Sequence, residues 1–125
     1  MRTEQLKGIE RALIIKQPHI GSILDNRKCW EMRSTDTKTR GWIALIEQGT
    51  GLIIGKCFLF QTKKLDNDSL RTEQSKKYHC LDYSTGKYDK WSWAWVIGRM
   101  ERFDKPIPYK HPQGAVIWVK SEAWQ

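Results

Sequence analysis

Apolar residues in this sequence come in short runs of strand length, each closed by glycine, proline or a polar cluster. That pattern calls for a sheet. Arg11 to Lys16 reads as the first strand and stops at Gln17-Pro18. Lys28 to Arg33 alternates, with Trp30 and Met32 on one face and Cys29, Glu31 and Arg33 on the other. Gly41 to Glu47 and Leu52 to Phe60 flank Gly49-Thr50-Gly51 and predict a hairpin. Trp93 to Phe103 and Gly114 to Lys120 complete the set, with Pro106-Ile107-Pro108 expected to break any regular ladder. Helical signals are weaker. Ile20, Ile23 and Leu24 recur at helical spacing after Pro18, and Asp25-Asn26 should end that short helix. Asp66 to Leu81 is polar, with a thin apolar face at Leu70, Tyr78 and Leu81 and a cap expected at Asp68 or Ser69. Tyr83 to Lys90 reads as loop. The expected fold is α+β, a β-barrel of about five to six strands with two inserted or flanking helices.

A chain of 125 residues suits one core. The expected organisation is an N-terminal arm over residues 1–10, the domain over 11–120 and a tail over 121–125. No apolar run reaches bilayer-spanning length, and the N-terminus lacks the apolar segment of a secretory signal. The expectation is a cytoplasmic protein with no membrane partner. Cys29, Cys57 and Cys80 are widely spaced, there is no C-x-x-C, and His79-Cys80 has no second ligand pair nearby. No metal and no cofactor are expected. A net charge of +8 and seven tryptophans supply a field for polyanions and surfaces for stacking, which points to RNA or a nucleotide as partner.

Two stretches carry a resemblance. Asn26-Arg27-Lys28-Cys29-Trp30-Glu31-Met32-Arg33 is similar to the Gly-x-Lys-x-x-Glu-x-Arg signature of the ASCH family, with Asn26 in the glycine position. Asparagine is the next best residue for a left-handed backbone. Ile15-Lys16-Gln17-Pro18 resembles the family's opening. Trp93-Ala94-Trp95-Val96-Ile97, Pro106 to Lys110, Gln113-Gly114 and Trp118 resemble its closing strands, and the match is weakest across 61–90. The resemblance implies a PUA-like barrel with a polar cleft between barrel and helices, and an association with RNA or modified nucleosides. Some bacterial members are amidohydrolases of acetylated cytidine. In them a threonine, the nucleophile, occupies the place of Glu31, and the signature lysine, here Lys28, is the base. Other members are associated with ribonuclease activity.

The ligand-binding candidates are Lys16, Gln17, Lys28, Glu31, Arg33, Trp93 and Trp95. Arg33 suits a bidentate grip on phosphate or carboxylate, and Glu31 suits hydrogen bonds from a base or sugar edge. The two could also simply pair with each other. Lys28 is read as part of the turn, which frees it from the alternation that would set it opposite Glu31. Lys16 and Gln17 sit at a strand-to-helix junction whose helix N-terminus favours anions. Trp93 and Trp95 share a strand face and serve either the core or stacking. His19 and His111 have no nucleophile paired to them in sequence. The alternative function is a small metal-independent hydrolase, a ribonuclease or acylated-nucleoside amidohydrolase, with Lys28 and Glu31 as its catalytic residues.

Overall fold

The structure is a computed structural model that describes residues 2–125. Its elements are β1 (Arg11–Ile15), α1 (His19–Leu24), β2 (Trp30–Arg33), β3 (Gly41–Glu47), β4 (Leu52–Lys64), α2 (Asn67–Leu70), α3 (Glu73–His79), β5 (Trp93–Pro108) and β6 (Trp118–Lys120). Short 3₁₀ turns lie at Arg2–Leu6, Tyr83–Thr85 and Ser121–Ala123. One six-stranded sheet runs β2-β5-β4-β3-β1-β6 and curls into a half-barrel. β1 and β3 are parallel, and the other pairs are antiparallel. The expected α+β barrel is therefore what the chain forms, with three α-helices among the described residues.

Asp66 to Leu81 splits into two helices because Thr72 is extended and starts a second one. Its hydroxyl accepts the Ser75 amide at 3.1 Å, while Asp66 accepts the Ser69 amide at 2.7 Å. The caps are thus Asp66 and Thr72, not Asp68 or Ser69. β5 continues through Pro106 to Pro108, against expectation, and pairs Ile107 with Ile53. The Tyr109 amide points at β4, donating to the Gly51 carbonyl at 3.2 Å. The nitrogens of Pro106 and Pro108 therefore face the open side, beyond the reach of β2, where no ladder bond is lost. β4 runs on to Lys64, and three register shifts against β5 let the long pair coil. β6 keeps only Trp118–Lys120 of the expected Gly114 to Lys120, and Val116 and Ile117 lie exposed in the preceding loop.

The concave face packs Leu13, Ile15, Ile43, Leu45, Leu59 and Trp95 against Ile20, Ile23 and Leu24 of α1. Burying each such aliphatic side chain contributes roughly 1.5–3 kcal/mol. The convex face is covered in two places. Leu6 and Ile9 from the arm and Trp124 from the tail lie over Ala12, Ile14, Ala44, Ile46 and Ile53. At the other end Leu70, Leu81 and Tyr83 lie over Trp30, Met32 and Ala94. A membrane-crossing helix is absent among the described residues.

Candidate functional site

The site lies where β2 and β1 face each other across the open mouth of the half-barrel. Asn26 takes a left-handed φ of 62° and turns the chain out of α1. The amides of Arg27 and Lys28 fold back onto the Ser22 carbonyl. Lys28 therefore precedes the strand, and its side chain swings to the cleft side, only 2% exposed. Strand alternation begins at Trp30, so Glu31 and Arg33 face the cleft while Trp30 and Met32 face away. Cys29 differs from the expected face. It lies ahead of the strand and packs against the Trp30–Tyr83 cluster, where burial pushes its thiol up.

Lys28, Glu31 and Arg33 converge. Lys28 Nζ is 4.0 Å from Glu31 Oε1 and 3.5 Å from His19 Nδ1. Arg33 Nε and Nη2 both reach Glu31 Oε2 at 2.9 Å, and Nη2 also donates to the Ile14 carbonyl at 3.0 Å. The bidentate edge expected for a phosphate is thus taken by Glu31. Burial pushes the Lys28 amine below the usual lysine value; Glu31 opposes that shift and Arg33 adds to it. Burial also lowers His19, with Lys28 adding to the effect.

These groups line a cleft of about 300 Å³ with Lys16, Trp91 and the exposed Val116 and Ile117. Gln17 turns elsewhere: its amide donates to Glu47 at 2.8 Å and accepts the Gly21 amide at 3.3 Å. The amides opening α1 are taken as well, Ile20 by the Lys16 carbonyl and Ser22 by Pro18. The expected anion seat at that helix start is therefore filled by the protein itself. Trp93 packs against the concave core and does not line the cleft. Trp95 borders it but is only 2% exposed, with Trp118 stacked at 5.8 Å and the Arg33 guanidinium 5.5 Å from its ring. A ring so buried offers no open face to a base. Its indole N–H donates to the Thr35 carbonyl at 2.9 Å.

Sequence reasoning left four lining residues out of the site. His19 follows Lys16-Gln17-Pro18, a position that could have marked it for the same cleft. Trp91 follows the stretch where the resemblance is weakest, and Val116 and Ile117 were read as strand. Among the described residues no three His, Cys, Asp or Glu side chains gather as a metal site would require.

No family model matches the sequence, and no curated protein matches it. Solved structures do. The chain is similar to the crystal structure of ASCH from Zymomonas mobilis, at 15% identity over 90% of this chain and 89% of that one, with a TM-score of 0.66. A serine-to-alanine variant of that protein matches at 14% identity over 88% and 86%, TM-score 0.66. A tyrosine-to-phenylalanine variant matches at 15% over 78% and 74%, TM-score 0.62. At these identities the likeness is one of backbone course, and it agrees with the signature read at residues 26–33. The chain has the ASCH-domain fold.

Proposed function

We propose that the cleft binds a nucleoside or nucleotide, free or as a residue of RNA. The observation that supports this reading is the Lys28–Glu31–Arg33 cluster, with Lys28 and Glu31 buried and Arg33 half-buried, set beside an apolar lip. Taking charge-bearing side chains out of water costs free energy, and clusters of this kind gather at functional sites. Here they present a donor, Lys28 Nζ, and an acceptor, Glu31 Oε1, side by side. That pairing matches the alternating donors and acceptors along a base or sugar edge. Val116, Ile117 and Trp91 supply the apolar surface a base face needs. The volume of about 300 Å³ is at the small end of ligand sites, which run from ~300 to 1,000 Å³. It suits one nucleoside rather than a helix.

The test is equilibrium binding to the ribonucleosides, their 5′-monophosphates and base-modified forms. Glu31→Gln should weaken the best ligand roughly 10- to 100-fold, the effect of mispairing a desolvated polar contact. Absence of binding by every member of that panel would remove the reading.

A second reading, metal-independent hydrolysis of a modified nucleoside or of RNA, is favoured by the lowered basicity of Lys28. A buried amine of lowered basicity, set beside a carboxylate, has the character of a group that takes a proton in catalysis. On this reading Glu31 orients Lys28, and water is the nucleophile, since no hydroxyl stands where Glu31 is. Lys28→Met should then abolish turnover of acylated nucleosides while leaving the product bound. A wild-type protein that binds such a compound and leaves it intact overturns this second reading alone.

A further inference from the structure

The convex face of the sheet is covered by the arm and tail at one end and by α2 and α3 at the other. Between them lies a bare strip. Trp42 on β3 and Phe58 on β4 are cross-strand partners with rings 5.5 Å apart. Phe60 follows on β4, its ring 4.8 Å from that of Phe58. Trp42 is 39% exposed and Phe60 45%, a large solvent area for rings on a sheet face. Gly98 of β5 makes room for Phe60 to lie across the strand, since a Cβ there would come within 2.9 Å of the ring.

Cations line this strip. Lys56 lies over Trp42 at 5.1 Å, and Arg99 over Phe58 at 5.3 Å and Phe60 at 5.9 Å. At Trp42 the strip opens into a hollow of about 510 Å³ lined by Arg11, Lys38, Arg40, Thr37 and Thr39, with Glu10 as its one acidic side chain. Arg40 is braced by the carbonyls of Thr37 and Thr39, both at 2.8 Å, and by the Thr62 hydroxyl. Aromatic rings this exposed, beside a trough of mainly positive charge, are the two halves of a single-strand site: bases stack and phosphates follow the cations. A duplex keeps its bases stacked on one another and has none free for Phe60.

We propose that this strip and hollow form a second contact surface, separate from the cleft, for single-stranded nucleic acid. The occupant is set by charge complementarity on a protein of net charge +8, and the proposal does not depend on what the cleft binds. The rim of the hollow and the rim of the cleft are joined by one loop: Ser34 and Thr35 line the cleft, Thr37 to Arg40 the hollow. A strand leaving the cleft would meet the hollow next.

The test is fluorescence anisotropy with labelled 12-nucleotide oligouridylate, its oligothymidylate counterpart and a duplex of equal length. Binding of either single strand, with the duplex weaker, is expected. Trp42→Ala with Phe60→Ala should weaken it by roughly 10-fold or more, as loss of base–aromatic stacking does. Phe60→Trp should bind at least as tightly as wild type, which keeps the test open if the double variant folds poorly. Arg40→Gln should lower the slope of log affinity against log salt by about 0.7, the value of one phosphate on a single strand. Four results would overturn the proposal: no binding of either single strand, a duplex bound as tightly, an unchanged affinity in the Trp42→Ala, Phe60→Ala double variant together with an unchanged salt slope in Arg40→Gln, or a dimer in sedimentation that the double variant abolishes.

Discussion

Lys28 is the residue on which the cleft turns, because an almost fully buried amine must be either neutralised or paired. Glu31 serves as counter-charge to both Lys28 and Arg33. Glu31→Gln leaves two cations facing each other, and should destabilise the fold by on the order of 3 kcal/mol in urea titration, as removal of one partner of a buried pair does. The double variant Lys28→Met with Glu31→Gln should cost less than the two single losses added together, since the charges act as a unit. The pH dependence has a definite sign. Folding lowers the Lys28 value, so the unfolded chain holds more protons in the alkaline range. Wild-type stability should therefore rise relative to Lys28→Met as pH climbs through the alkaline range towards the ordinary lysine value of 10.5. Denaturant midpoints of the two proteins across that range check it. A gap that stays constant would mean that Lys28 keeps its ordinary basicity when folded.

At the level of elements, the packing of α1 into the sheet depends on Gly55. A Cβ there would meet the Glu101 carbonyl at 2.6 Å and Leu24 at 2.7 Å, one of them backbone. Gly55→Ala should cost at least 1–3 kcal/mol. Gly98→Ala meets only the exposed Phe60 ring and should cost far less; melting temperatures rank the two. The ends of α2 and α3 are tied by His79, whose Nε2 donates to the Leu70 carbonyl at 2.8 Å while Nδ1 accepts the Leu81 amide at 2.9 Å. Burial, the larger cause, lowers its value from 6.5, so the unfolded chain takes up the proton first. Stability should fall as pH drops below about 6.5, and less so in His79→Gln. Period and turn chemistry made most of these elements legible: the Gly49–Gly51 hairpin and the stop at Asn26 stand where glycine and asparagine put them. Strand ends were not legible. They depend on which neighbour a strand has at that point, which is why Pro106 and Pro108 sit in β5 and why β6 is short. The convergence of Glu31 and Arg33 could be read from their spacing. The closure of Arg33 onto Ile14, nineteen residues away, could not.

For the molecule as a whole, the arm and the tail prove to be parts of the core's roof. Trp124 is buried against Val119 and the convex face, although residues 121–125 read as tail in sequence. Trp124→Ala should cost about 3–5 kcal/mol, as loss of a buried aromatic does, and calorimetry checks it. The net charge of +8 belongs to this scale too. If nucleic acid is the partner, affinity should fall steeply with salt, by about 0.7 log units per log of salt for each phosphate engaged on a single strand. The mouth of the half-barrel, finally, is not closed by a strand ladder. Among the described residues it is bridged by side chains: Arg33 of β2 donates to the Ile14 carbonyl, and Trp95 of β5 stacks on Trp118 of β6. A seam held by side chains opens without unfolding the sheet around it. In deuterium exchange, β2 amides should become labelled through such openings well before those at the centre of β4, and a molecule seated on Arg33 and Glu31 should slow that labelling while leaving β4 unchanged.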